Sequence, residues 1–409
     1  MITKARLLER ARAQELLPTT VEKDYVLGWM LAAITQHSRL TEWVFKGGTC
    51  LKKCFFETYR FSEDLDFTVP TELALSLEGI EKDLAEAGAW IESRSGISFP
   101  ADKIKVERYT NPRGKEPYQA KVVYACRLNL SPSSLQRIKF DISQDERLVD
   151  TPDHRVVSHP YGDARDPAPR VRCYSVDEIL AEKTRALYER QGRARDVYDI
   201  VHLSREFRGS ISPIKASSVL RDKFDFKGLP APTVELIVDR VDKAALRANW
   251  KHQLYHQLPK LPPVDSFIAD LTDAIAWWLD PEQARVRLPA VSGGAGERPV
   301  QRQHLPVHQA LGCGVATSNV TPVGGMGQFD RIRYAARNRL CAEIRYHGVI
   351  RIVEPYSFRH TDRGNTLLYV HELLKDGRTT GALRSYATDK IESAVITDRP
   401  FIPRFLVEL

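Results

Sequence analysis

The chain has 409 residues, 43% of them hydrophobic and 28% charged, with a formal net charge of +7. These proportions exclude a disordered polymer and suit a soluble protein of two or three domains with a sizeable core. No apolar run reaches the ~18 residues a spanning helix needs. The N-terminal "MITKARLLERARAQELLP" lacks an apolar signal core, so the expected setting is the cytoplasm, with no membrane partner.

Residues 3–16 and 20–37 read as helices. The second has Thr19 and Glu22 at capping-box spacing, with Val21, Tyr25, Gly28, Trp29 and Ala32 along one face. "EWVFK" (42–46) reads as a strand, Gly47-Gly48 as a turn and 49–57 as a helix. A glycine pair opening a helix lets backbone approach a phosphate, and Thr49 adds a hydroxyl; a plain tight turn has the same sequence. Six cysteines (Cys50, Cys54, Cys126, Cys173, Cys313, Cys341) are scattered without a Cys-x-x-Cys pair. Free thiols are therefore expected rather than a zinc site, with Cys50 and Cys54 packing four apart on a helix.

"SEDLDFTV" closes on a second strand. Residues two apart in a strand face one side, so Asp64 and Asp66 point together while Leu65 and Phe67 point into the core. Such a pair is either a solvated strand end or a site for Mg²⁺, a hard ion that takes oxygen ligands. The Gly-Gly turn just upstream favours the second. Helix is expected over 71–93 and strands over 103–109, 119–130 and 136–143. The last, "RIKFDIS", alternates, with Ile138, Phe140 and Ile142 on one face and Lys139, Asp141 and Ser143 on the other. Asp141 is either a third carboxylate of the site or a residue of a polar outer face. Three such acids can hold two Mg²⁺ ions about 3.5–4 Å apart.

"YSVDEILAEKTRALYERQGRARDVYDIVHL" gives helices at 176–190 and 194–206, the first opened by a capping box of Ser175 and Glu178. Val176, Ile179, Leu180, Lys183 and Leu187 share one face, so Lys183 stands where a lysine is rare without a partner. It either lays its stem along the core or aims a cation at a triphosphate. Arg185, Arg190, Arg193 and Arg195 crowd the same region. Asp196 and Asp199, on the next helix, are partners for Lys183 or Arg195, or helix caps. More helix follows to 268–279.

After Pro281 the texture turns to Gly, Pro, Ser, Thr and Val without a helical period, reading as a linker. From Phe329 a short helix and several strands return, broken at Gly348, Pro355, Gly364 and Gly377, which suggests a small β-barrel or sandwich. The positive charge concentrates here: residues 281–409 carry 18 Lys/Arg against 12 Asp/Glu, residues 1–280 carry 42 against 41. That excess is compatible with nucleic acid.

"FKGGTCLKK…RFSEDLDF", the later "FDIS", "EKTRALYERQGRARDVYDIVHL" and the upstream "VEKDYVLGWML" resemble nucleotidyltransferase toxins of the AbiEii/AbiGii type, in the DNA polymerase β-like superfamily. The resemblance implies an α+β fold: a nucleotidyltransferase core with a mixed sheet flanked by helices (1–175), a helical subdomain completing the active site (176–284), a linker (285–328) and a C-terminal domain (329–409). It implies Mg²⁺-dependent transfer of a nucleotide from an NTP to an RNA acceptor, with tRNA foremost, and release of pyrophosphate. The setting it implies is a bacterial toxin–antitoxin or phage-defence (abortive infection) system with an antitoxin encoded nearby. By position, Gly47, Gly48, Thr49 and Ser62 would hold the triphosphate, with Lys183 and Arg195 beside it. Asp64, Asp66 and Asp141 would bind two Mg²⁺ ions, Lys183 would neutralise phosphate charge, and Asp196 belongs to the last motif. "RIVEPYSFR", "LLYV" and "RSYATDKIESAVITDRPFIPR" are similar to WYL-like domains, Sm-like β-barrels, although the Trp-Tyr-Leu triplet is absent. Arg351, Arg359 and Arg384 are candidates for an anionic ligand there. Two other functions stay open: nucleotidylation of a protein or small molecule, and a catalytically silent regulatory protein that binds nucleic acid.

Overall fold

The computed structural model describes residues 2–56, 59–110, 117–126, 136–163, 168–280, 326–360 and 365–409. Nearly all of the expected linker lies outside the described residues, as do Gly364 and Cys313. Two compact units interleave along the chain: Met1–Arg190, Ile211–Pro232 and Leu254–Pro259 form the first, and Gln191–Ser210, Thr233–Gln253 and Lys260–Leu409 the second.

The first unit is built on a seven-stranded mixed sheet. Its strands are β1 (Val44–Lys46), β2 (Asp64–Thr68), β3 (Ile104–Arg108), β4 (Tyr118–Tyr124), β5 (Gln136–Ser143), β6 (Asp153–Val156) and β7 (Arg170–Cys173), in the order β3-β4-β5-β2-β1-β7-β6. β2 runs parallel to β5, and β1 parallel to β7; the other pairs are antiparallel. β6 and β7 are not foreseen in the sequence, because "DHRV" and "RVRC" carry too much charge to show alternation.

Helices α1 (Lys4–Ala13), α2 (Pro18–Ile34) and α4 (Leu77–Ser95) belong to this unit. α2 is buried on almost every side. Pro18 fixes its first turn, Leu17 stands at the N-cap without a side-chain bond, and the Thr19–Glu22 capping box is not used. The helix expected over 49–57 divides into α3 (Gly47–Cys50) and a wider turn over Leu51–Phe55. Phe67 lies at the centre of the core, with ring centroids 5.2 Å from Phe45, 5.6 Å from Trp43 and 6.3 Å from Phe140. α5 (Val176–Glu189) and α7 (Pro213–Phe226) complete the unit.

The second unit joins α6 (Ala194–Glu206), α8 (Val234–Asp239), α9 (Lys243–Leu254, but for its last residue), α10 (Val264–Leu279) and α11 (Gln328–Arg337) to an antiparallel sheet. That sheet holds β8 (Leu340–Tyr346), β9 (Val349–His360), β10 (Thr366–Lys375), β11 (Arg378–Ala387) and β12 (Ile391–Pro400), in the order β11-β10-β9-β8-β12. Tyr198 of α6 stacks on Phe267 of α10 at 5.2 Å, and its hydroxyl donates to Asn338 Oδ1 at 3.3 Å. His347-Gly348 and Asp376-Gly377 make the hairpin turns, each pair with positive φ, as a right-twisted hairpin requires. Pro355 does not break β9: a register shift between Tyr369 and Val370 of β10 accommodates it. Arg351 and Arg359 are not surface arginines. Arg351 lies buried, 3.5 Å from Glu372, and Arg359 pairs with Glu408; Arg384 is exposed.

Candidate active site

In β2, Leu65 and Phe67 are fully buried, while Asp64 and Asp66 stay partly exposed on the opposite face. Registers then build a row across the sheet. Asp66 stands opposite Asp141 on parallel β5 and opposite Lys46 on antiparallel β1, and Asp141 stands opposite Gln119 on β4. Asp64 is opposite Lys139 in the neighbouring row. Paired residues share a face, so three carboxylates and two lysines occupy one patch. Gln119 Nε2 donates to Asp141 Oδ1 at 3.1 Å, and Lys139 Nζ to Oδ2 at 2.7 Å.

The glycine turn presses on this patch from the end of β1. Gly47 has φ +81°, and a Cβ there would lie 2.3 Å from Asp66 Oδ2. A Cβ on Gly48 would lie 2.7 Å from Arg60 Nη2 and 3.2 Å from Ser62 Oγ. Gly47 therefore needs glycine for both backbone conformation and carboxylate contact, whereas a side chain at Gly48 would have to displace the Arg60 guanidinium. The Thr49 hydroxyl is buried and donates to the Asp64 carbonyl oxygen at 2.5 Å, tying the turn to β2.

Burial, with the Asp141 and Asp64 carboxylates beside it, pushes the Asp66 carboxyl up to about 6, against the pull of Lys46 and Lys183. Lys183 reaches this field from α5, on whose face Val176, Ile179, Leu180 and Leu187 are buried and Lys183 half-buried. Ser175 caps the helix by accepting from Glu178 N at 3.2 Å. The Glu178 carboxylate does not close the box; it accepts from Val149 N and Asp150 N at 3.1 and 3.2 Å and pairs with Lys223 of α7 at 2.9 Å. Glu182 sits in the same network. Burial opposes its charge, but Arg185 and Lys223 hold it well below the ordinary carboxylate range. Arg185 is buried between Glu182 and Glu189.

The first unit thus gathers Gly47, Gly48, Thr49, Ser62, Asp64, Asp66, Asp141 and Lys183. Arg195 and Asp196 stand on the first turn of α6 in the second unit, Asp196 buried there. Three residues of the patch escape sequence reading. Lys46, buried at the end of β1, pairs with Glu146, and Glu146 also accepts from Thr68 Oγ1 at 3.3 Å. Arg60, 2% exposed, donates to Gln257 Oε1 at 2.7 Å and to the Phe61 carbonyl oxygen at 3.3 Å. Its place in the spacing "R-x-S-x-D-x-D" was the available signal; Glu146 gave none. The three carboxylates, crowded and partly desolvated, suit a hard divalent cation with oxygen preference.

Residues 29–281 match the family model of the nucleotidyl transferase AbiEii toxin of type IV toxin–antitoxin systems. Among solved structures, the chain is similar to MenT4, a nucleotidyltransferase toxin from Mycobacterium tuberculosis H37Rv. That likeness has 19% identity and a TM-score of 0.45, and covers 68% of this chain and 90% of the other. A comparison with curated proteins finds no match. No helix among the described residues is long and apolar enough to cross a membrane.

Proposed function

Because the chain belongs to the AbiEii family of nucleotidyltransferase toxins of type IV toxin–antitoxin systems, we propose that it moves a nucleotide from an NTP to RNA, with tRNA as the first candidate acceptor. The observation that carries this reading is the register: Asp66 faces Asp141 across β2 and β5, Asp64 lies on the same face, and the Gly47 backbone abuts Asp66. A polymerase β-like core is the architecture that such a glycine turn and carboxylate row support. Asp64, Asp66 and Asp141 would hold Mg²⁺, one ion or two. Bound there, Mg²⁺ would supply charge neutralisation at the phosphates and acidify the acceptor hydroxyl.

The chain's own residues account for the rest. Gly47 and Gly48 leave room for the triphosphate at the backbone, Ser62 offers a hydroxyl, and Lys183 sets positive charge against the phosphates. The acceptor hydroxyl gives up its proton to solvent and attacks the α-phosphorus in line; the new P–O bond forms as the bond to the β-phosphate bridge oxygen breaks and pyrophosphate leaves with those electrons. By their place in the family-like motif, Arg195 and Asp196 of α6 would also serve nucleotidyl transfer. Thr49 and Arg60 act as positioning residues, Thr49 through the Asp64 carbonyl and Arg60 against Gly48. The C-terminal sheet, with its long bulged strands, supports a WYL-like, Sm-like barrel. Of the three candidate arginines Arg351, Arg359 and Arg384, exposed Arg384 is the one left to meet an anion. Family membership implies a cognate antitoxin, and a cytoplasmic phage-defence role accords with it.

The test is an acceptor screen. The protein is incubated with each α-phosphate-labelled NTP, Mg²⁺ and, in separate arms, total tRNA, a soluble protein extract or a small-molecule pool. Label on tRNA that vanishes in Asp64→Ala supports the reading. Label on protein or small molecules alone moves the acceptor class, and no label under any NTP contradicts it.

A further inference from the structure

Two thiols four residues apart and a third far along the chain meet behind the glycine turn. Cys50 ends α3, Cys54 lies one turn on, and Cys173 ends β7; their Sγ atoms all lie within 4.8 Å of one another. Cys173 is the register partner of Phe45, so it belongs to the face opposite the Lys46–Asp66–Asp141 row. We propose that Cys50, Cys54 and Cys173 form a thiolate site for one thiophilic cation, Zn²⁺ or Cu⁺, which staples β7 to the turn that carries Gly47 and Gly48.

Soft sulfur donors select these ions over Mg²⁺. Around a tetrahedral zinc with Zn–S of about 2.3 Å, sulfurs stand roughly 3.8 Å apart, so the trio needs at most a small rotamer adjustment. Cu⁺ takes three sulfurs alone. Zn²⁺ needs a fourth donor, which water can supply at half-buried Cys54; Asp153, the cross-strand partner of Cys173 on β6, is engaged by Arg155 at 2.9 Å. Cys50 and Cys173 are buried while Cys54 is half-buried, which leaves an approach for the ion. Binding converts three thiols to thiolates and releases three protons to solvent. Two cations border the trio: Arg155 lies over the Phe55 ring at 4.7 Å while pairing with Asp153 at 2.9 Å, and Lys53, next to Cys54 in the chain, pairs with Asp24 at 2.8 Å. Three inert packing cysteines explain the burial but not the convergence of the sulfurs. Another cluster of metal-ligating type among the described residues, His37, Asp83 and Glu86, is already engaged, with His37 on Glu86 at 3.1 Å and Arg39 on Asp83 at 3.4 Å.

The effect on the turn rests on the phosphate-turn reading, whereas ion binding does not, so binding is the readout. Reduced, chelator-treated full-length protein is titrated anaerobically with Co²⁺ as a spectroscopic stand-in for Zn²⁺, and separately with Cu⁺ against a competing chelator. The expected result is one equivalent bound, with thiolate-to-cobalt charge-transfer absorption displaced by Zn²⁺, or Cu⁺ retained. Cys54→Ser should weaken binding at least about tenfold, as for loss of a metal-site contact, and Cys126→Ser should leave it unchanged. Because Cys54 is half-buried, that variant also tests the site without emptying the core. Absence of both signals, or binding unaltered in Cys54→Ser, overturns the proposal.

Discussion

At the scale of single residues, the site rests on where carboxylates and glycines touch. Gly47 holds a left-handed φ of +81° with Asp66 Oδ2 at the position its Cβ would claim. Gly47→Ala should cost about 1–2 kcal/mol in backbone strain. By moving Asp66, it should also lower transfer roughly 100-fold, read from chemical denaturation and the labelled-NTP assay. The Asp66 carboxyl, pushed up to about 6 by burial and by Asp141 and Asp64, titrates above its unfolded value. The folded state then binds more protons than the unfolded one between about pH 4 and 6, so metal-free stability falls as pH rises through that window. Asp66→Asn should remove this, raising the unfolding free energy of metal-free protein at pH 7 by on the order of 2 kcal/mol while abolishing transfer. Asp163 gives the opposite sign. Burial alone would raise it, but hydrogen bonds from His159 and Tyr25 hold it down at about 2. Its contribution is present above about pH 4 and disappears as pH falls toward 2. Asp163→Asn should destabilise by about 2 kcal/mol at pH 7, with the difference from wild type closing below pH 4 in pH-dependent melts.

At the scale of elements, α5 brings Lys183 to the patch, and a buried ion network fixes α5. Lys223 on α7 pairs with Glu178 at 2.9 Å and lies 3.6 Å from Glu182, all within the core. Lys223→Met should cost about 3–5 kcal/mol by leaving the buried Glu178 carboxylate without its cation. It should also lower transfer through Lys183, an effect absent from a remote variant of equal stability loss. Sequence reading went far with strands whose two faces differ. Leu65 and Phe67 against Asp64 and Asp66, and "IKFDIS" around Asp141, revealed parity before any fold. It could not reveal register: the parallel pairing of β2 with β5 joins segments separated by α4, β3 and β4, and only that pairing sets Asp66 against Asp141. Lys46 and Glu146 were hidden for a related reason, since nothing local marks a charged residue whose partner lies far along the chain. β6 and β7 were missed because short, charged, partly exposed strands lack alternation. The Cys50–Cys54–Cys173 convergence depends on β7 and was invisible with it.

At the scale of the whole molecule, the units interleave, so the C-terminal region is not a separable appendage to the second unit's helices. Tyr198 donates to Asn338, Arg205 Nη1 to the Arg337 carbonyl at 3.3 Å, and Glu206 pairs with Arg337 at 3.2 Å. Ending the chain after Leu279 would expose the buried Glu206 and remove these partners from α6. The truncated protein should melt well below the full chain and bind a hydrophobic dye; an unchanged Tm would contradict this organisation. The central claim, that the Asp64–Asp66–Asp141 row performs nucleotidyl transfer, is tested most directly by the initial rate of label transfer from α-phosphate-labelled NTP to total tRNA. Wild type, Asp66→Asn and Asp141→Asn are compared at matched folding and increasing Mg²⁺. Mg²⁺-dependent transfer by wild type and a loss of roughly 1000-fold or more in both variants is the expected result. Transfer that persists at the wild-type rate in either variant would contradict it.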